Sequence, residues 1–361
     1  MEVEKSAAGL SIATAHDGST FLYAVTDGYI GDANDYQGHL TAINLQTGAQ
    51  NVFNTLCSNK TMHFCNSAAA SCAAATNDCS ATMNGIWGRP GAVYDTSTDR
   101  VFITSGNGPY NANTAGGYNW GDSILALHAD GTGSGAGSPV DSYTPTTYQL
   151  LENWDADLGA VSVAIVPPPP GTAPQYLHMG VQAGKDACIR LLNLANLSGH
   201  GASRYTGGEL QAIDLPFGGH CATGYPYPQI QPQPAIWVDP ADSSSWVYVA
   251  TYGFGSVAYR IALDDNGRPS LSQQWLAQSG SSPIVANGTI YLMSYDHLIA
   301  LDAVSGARLD SDTSSWATTS FSNQHWQSPI LVNGRIYLFD NANPSQLWVY
   351  QLDGVFKSNF N

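Results

Sequence analysis

The sequence predicts an all-β protein built as a β-propeller of four-stranded antiparallel blades. Three observations predict it. The composition is turn-rich and aromatic-rich, with 37 Gly, 19 Pro and 19 Tyr in 361 residues. Only 11% of residues are charged, so the usual helix formers are scarce. A strand–turn–strand unit also recurs along the chain, and such units must stack to bury their faces.

The clearest copies lie near the C-terminus. Ser281-Ser282-Pro283-Ile284-Val285-Ala286-Asn287-Gly288 leads into Thr289–Met293, and Leu298–Asp302 follows. Gln327–Gly334 leads into Arg335–Phe339, and Leu347–Gly354 closes that copy. Asn-Gly suits a hairpin because both central residues of a type I′ turn need positive φ. Upstream, Pro234–Val238, Trp246–Ala250 and Val257–Ile261 make a third copy. Val161–Val166, Tyr176–Met179 and Ile189–Leu192 make a fourth. Gly91–Tyr94, Val101–Thr104 and Ile124–Leu127 make a fifth, and Phe21–Val25 with Leu40–Ile43 makes the first in chain order. Six units are visible, within a single domain spanning 1–361. Long insertions fall at 54–84, 106–121 and 199–229. The first unit begins almost at Met1, so one or two N-terminal blades are expected to be missing from the ring.

The formal net charge is −16, which repels phosphate backbones and argues against nucleic acid as a partner. No apolar run is long enough to span a bilayer. Met1-Glu2-Val3-Glu4-Lys5 is polar and forms no signal peptide. Four of the six cysteines, Cys57, Cys65, Cys72 and Cys79, crowd one loop; Cys188 and Cys221 stand apart. Their spacing lacks the C-x-x-C knuckle of zinc sites and favours disulfides, with three pairings open for the four. Disulfides imply an oxidising compartment, so the expected location is periplasmic or secreted.

Leu298-Ile-Ala-Leu-Asp-Ala-Val-Ser-Gly306 and Leu40-Thr-Ala-Ile-Asn-Leu-Gln-Thr-Gly48 resemble the repeat of the pyrroloquinoline-quinone (PQQ) propellers, whose ring has seven or eight blades. That family places Trp four residues after the Gly, where this chain has Val52 and Asp310. A longer resemblance to the quinoprotein alcohol dehydrogenases covers about residues 85 to 195. It runs through Gly85-Ile-Trp87-Gly, Val101-Phe-Ile-Thr-Ser-Gly-Asn107-Gly, Trp120-Gly-Asp-Ser-Ile-Leu-Ala-Leu, Asn153-Trp-Asp155-Ala-Asp157 and Met179–Lys185-Asp186.

The resemblance implies a site. Asn107 matches a calcium ligand. Asp155, with Asp157 second, matches the base that takes the substrate hydroxyl proton. Lys185 matches a quinone contact, with Asp186 beside it, and Trp87 matches the indole against the cofactor. His325, in the axial-facing part of its unit, is a further cofactor candidate. The family's calcium-binding Glu has no counterpart near Gly28–Asp32, where Asp32 is the substitute, and its adjacent Cys-Cys pair is absent. The chemistry is coherent: hard cations take oxygen ligands, and a carboxylate nearby serves as general base. PQQ and calcium are therefore the expected cofactors, and an alcohol or sugar the expected substrate.

Plainer readings stand beside these. Asp155 and Asp157 also read as turn caps, Lys185 as a solvent-exposed hairpin tip, and His39 and His325 as structural. Gly253-Phe-Gly-Ser-Val-Ala258 joins two strands and is no dinucleotide loop. Two other functions fit the same fold. One is a non-catalytic propeller scaffold with a protein partner. The other is a polysaccharide-active lyase with a saccharide ligand, suited to the many Trp and Tyr.

Overall fold

A computed structural model describes residues 4–28, 31, 36–60, 79–251, 253–294, 297–309, 328–339 and 347–351. Asp32 and His325 lie outside these, as do Cys65 and Cys72. Among the described residues the chain is a run of three- and four-stranded antiparallel sheets, each taking its strands in chain order, with a short pair of Glu4–Lys5 and Asp27–Gly28 beside the first; this is the blade pattern of a β-propeller.

Two compact units divide the chain. The first, residues 1–165 and 173–227, carries three blades. Blade 1 has strands Ser11–Thr14, Thr20–Val25, His39–Asn44 and Gln50–Asn54. Blade 2 has Val93–Asp95, Arg100–Thr104, Ile124–His128 and Asp141–Tyr143. Blade 3 has Ala164–Val166, Met179–Gln182, Cys188–Asn193 and Gln211–Asp214. The second unit, residues 166–172 and 228–361, carries blade 4 (Ala235–Val238, Ser245–Ala250, Ser256–Leu263, Pro269–Ala277). Blade 5 follows (Ile284–Ala286, Thr289–Ser294, His297–Asp302), then blade 6 (Ile330–Val332, Arg335–Phe339, Leu347–Gln351).

The alternation of side chains across a strand builds the cores. In Arg100–Thr104 of blade 2, Val101 and Ile103 pack with Tyr23 and Leu40 of blade 1. Phe102, between them in sequence, joins Ile124, Val163 and Leu192 on the side of blade 3. In the second unit, Tyr248 and Ala258 meet Ile290, Leu292 and Leu301, while Tyr291 and Met293 turn to Ile336 and Leu338.

A docking device repeats with the blades. The buried hydroxyl of Tyr23 donates to the carbonyl of Ala129 at 2.6 Å, just past the third strand of the next blade. Tyr248 does the same to Ala303 at 3.1 Å, and the Trp275 indole donates to that carbonyl too. Trp275 lies against Gly306, where an added Cβ would strike the ring at 2.6 Å. The Asn-Gly hairpins form as read, with positive φ at Asn287, Gly288, Asn333 and Gly334.

One strand needs correction. Tyr176–Met179 was the expected second strand of blade 3, but Pro174–Tyr176 is a 3-10 turn and the strand is Met179–Gln182. Proline at the start of the turn fixes φ for a helical conformation there. A helix that the strand pattern did not foresee, Tyr148–Trp154, leads into blade 3. Disulfides join Cys57 to Cys79 and Cys188 to Cys221. The first is the outermost of the pairings open to the cysteine-rich loop.

Candidate functional site

The site forms on loops of the first unit. Trp87 lies on the segment entering blade 2. Gly106, Asn107 and Gly108 follow the second strand of that blade. Asp155 and Asp157 follow helix Tyr148–Trp154, and Lys185 sits in the hairpin between Met179–Gln182 and Cys188–Asn193. Asp155 occupies the helix C-cap with φ of 51°, a left-handed position that Asp tolerates and that ends the helix there.

Asp157 is the hub. Its carboxylate is 4% exposed and accepts from the Asn107 backbone N–H at 2.6 Å through Oδ1. Its Oδ2 meets Lys185 Nζ at 2.5 Å, and its carbonyl accepts from the Lys185 backbone N–H at 3.1 Å. Lys185 Nζ also reaches Asp155 Oδ2 at 3.2 Å and stands 5.4 Å from the centre of the Trp87 ring. Lys185 is therefore no solvent-exposed tip: its side chain is only 12% exposed. Burial opposes its charge, but Asp157 and then Asp155 overcome this and hold its pKa above the ordinary lysine value.

Gly106 makes the close approach possible. A Cβ there would collide with Asp157 Oδ1 and press on the Trp87 indole nitrogen. Glu152, on the helix, accepts from the Gly108 N–H. Asn84, with its carboxamide oriented to satisfy both ends, accepts from Gly121 N–H at 2.8 Å and donates to the Asn107 carbonyl at 3.2 Å. Asp122 is buried beneath, accepting from Leu158 N–H at 2.9 Å. Burial, reinforced by the charge of Asp157, pushes its pKa well above the carboxylate range.

Trp87, Asn107, Asp155, Asp157 and Lys185 are thus brought together. Asp186 is not: it is wholly buried and its carboxylate pairs with Arg190 at 2.5 Å, inside blade 3. His39 bonds Asn54 at 2.7 Å and Glu4 at 3.3 Å, holding blade 1 to the N-terminal strand Glu4–Lys5. Glu152, Asn84 and Asp122 escaped the sequence reading. Asp122 sat in the Trp120-Gly-Asp-Ser stretch with no role assigned and Glu152 lies one helical turn before Asp155, while nothing marked Asn84.

The donor chemistry fits a hard cation in part. Asn107 is 6% exposed, and its carboxamide makes no hydrogen bond among the described residues. Asp157 accepts from its backbone N–H, and Glu152 from that of Gly108. Among the described residues, however, no three His, Cys, Asp or Glu side chains are grouped closely enough to hold a metal. The Lys185 ammonium fills that role beside Asp157.

No protein-family model matches the chain, and no curated protein matches it in sequence. Among solved structures it is similar to a europium-containing methanol dehydrogenase, at 13% identity and a TM-score of 0.54. The match covers 93% of this chain and 66% of that one, so the chain spans just under two thirds of its length. This likeness shows a β-propeller. The Neurospora crassa Pan2 WD40 domain matches at 8% identity, TM-score 0.42, over 97% of this chain and 80% of that one. Saccharomyces cerevisiae Sqt1 matches at 9%, TM-score 0.43, over 94% and 83%.

Proposed function

We propose that the chain is a quinoprotein-type oxidoreductase that oxidises a hydroxyl substrate, an alcohol or a sugar, at the Asp155–Asp157–Lys185–Trp87 cluster. One observation carries the reading. Residues selected by resemblance alone, from loops far apart in sequence, lie in one connected network. Chance turns would have no reason to meet.

The residues divide the work by exposure. Asp155 is the base, because its side chain is 57% exposed and a substrate hydroxyl can reach it. Asp157 commits both oxygens to Asn107 and Lys185, so it is the anchor that fixes them. Lys185 offers a point charge to an anionic cofactor, and the half-buried Trp87 offers it a flat face. Asn107 would supply a carboxamide oxygen to a cation. Bound PQQ would supply the two-electron acceptor, with the cation polarising it as a Lewis acid. The europium of the similar dehydrogenase makes lanthanides worth testing beside calcium. The two disulfides support an oxidising compartment, periplasmic or extracellular.

Dye-coupled oxidation with added PQQ and calcium or lanthanum tests the proposal. Turnover of an alcohol or sugar is expected, falling by about 100-fold or more in Asp155→Asn. No turnover of any hydroxyl substrate would overturn it and leave the scaffold reading.

A further inference from the structure

Beside the candidate base the first unit exposes aromatic rings that the reaction itself does not need. Trp154, directly before Asp155, is 49% exposed. Its ring meets Tyr225, 43% exposed, edge-on at 5.2 Å. Tyr225 in turn meets His220 edge-on at 5.3 Å. The His220 backbone N–H donates to the Asp186 carbonyl at 3.1 Å, next to Lys185. The contacts therefore close a circuit: Trp154, Asp155, Lys185, Asp186, His220, Tyr225 and back to Trp154.

This shelf is held in place. The disulfide Cys188–Cys221 ties the residue after His220 to blade 3. The Cys221 N–H also donates to Asp214 at 2.6 Å, and Gly224 lies so close to the helix that carries Trp154 that an added Cβ would come within 3.0 Å of Leu151. Half-exposed, fixed aromatic rings cost little entropy on binding and carry much contact area.

We infer that the shelf of Trp154, Tyr225 and His220 is a carbohydrate subsite, so that the substrate is a sugar ring rather than a small aliphatic alcohol. The inference rests on the proposed oxidoreductase reading for the role of Asp155. Its binding claim stands on the shelf alone. A sugar ring has apolar C–H faces that lie on indole and phenol rings. Its equatorial hydroxyls need polar partners at the rim, and the 57% exposed carboxylate of Asp155, held by Lys185, is there. A short alcohol has no ring face to use the shelf. A quaternary ammonium would suit aromatic faces beside carboxylates, but Lys185 already neutralises Asp155 at 3.2 Å, and edge-to-face rings do not enclose a cation.

The test is binding without PQQ or added cation, followed by tryptophan fluorescence and calorimetry. The probes are glucose, cellobiose and maltotriose, with tetramethylammonium as the competing chemistry. Saturable binding of at least one sugar is expected. It should weaken about tenfold in Trp154→Ala and in Tyr225→Ala, and persist in Trp154→Phe. Circular dichroism checks that the variants fold, as exposed positions should allow. The inference is overturned if no sugar binds at about 100 mM. It is equally overturned if Trp154→Ala binds sugar as wild type does, or if only tetramethylammonium shows the Trp154 dependence. Sugar binding without any PQQ-dependent oxidation would sink the oxidoreductase reading alone. Oxidation of ethanol with kcat/KM unchanged in Trp154→Ala, and no sugar binding, would sink the subsite alone.

Discussion

Lys185 shows how one side chain organises the site. Its ammonium lies between Asp157 and Asp155, and Asp157 is 4% exposed. Replacing it by Met leaves a buried carboxylate unpaired, so Lys185→Met should lose about 3 kcal/mol in urea unfolding at neutral pH. The sign follows from the raised pKa: the stabilisation is complete below the ordinary lysine pKa and fades as pH rises through the higher folded value. Asp27 gives the same sign of pH dependence at lower pH, through a carboxyl kept neutral rather than an ammonium kept charged. It is 4% exposed with Oδ1 unpartnered, and burial lifts its carboxyl from 3.8 to about 6, against the opposing pull of Lys5. The native state therefore holds this proton more tightly than the unfolded chain. Stability should fall as pH rises from about 4 to 6, by about 3 kcal/mol at most. Asp27→Asn should flatten that slope and raise Tm at pH 7.5; an unchanged slope would show that Asp27 is not its source.

At the scale of elements, the two docking tyrosines repeat one bond in two blade pairs. Tyr23→Phe and Tyr248→Phe should each cost about 1 kcal/mol. The loss should be smaller at 248, because Trp275 still donates to Ala303. Urea unfolding of the two variants checks the order. The loop carrying the aromatic shelf depends on its disulfide, which spans 33 residues. Breaking it in Cys188→Ser/Cys221→Ser should cost roughly 4 kcal/mol by loop closure, read as a lowered Tm that reductant no longer affects at this loop.

The elements also show what the sequence could and could not say. Inner strands such as Thr289–Ser294 were legible because every residue is buried and apolar or β-branched residues dominate. The Asn-Gly turns were legible because their φ requirement is local. Gln211–Asp214 and Pro269–Ala277 were not, since outer strands alternate with solvent and carry polar residues. In the site, Trp87, Asn107 and Lys185 were legible only through resemblance. Glu152 was hidden because its bond to Gly108 crosses 44 residues, and Asp186 misled because its neighbour Lys185 faces the site while it faces Arg190.

For the whole molecule, the blade order explains why distant loops meet. In blades 2 and 3 the segment entering the blade and the loop after its second strand come together, so residues 87, 107, 157 and 185 converge beside the packed cores of the first unit. Gly106 is the point where this convergence is tightest. Gly106→Ala should drive Asp157 from Asn107 and Lys185 at a cost of about 1–3 kcal/mol, read as a lowered Tm.

Equilibrium titration of the protein with PQQ in the presence of calcium or lanthanum, followed by quinone absorbance, tests the central claim most directly. Saturable, cation-dependent binding at one site, weakened in Trp87→Ala, in Lys185→Met and in Gly106→Ala, is the predicted result. The absence of saturable binding at high micromolar PQQ with either cation, or binding indifferent to all three substitutions, would contradict it.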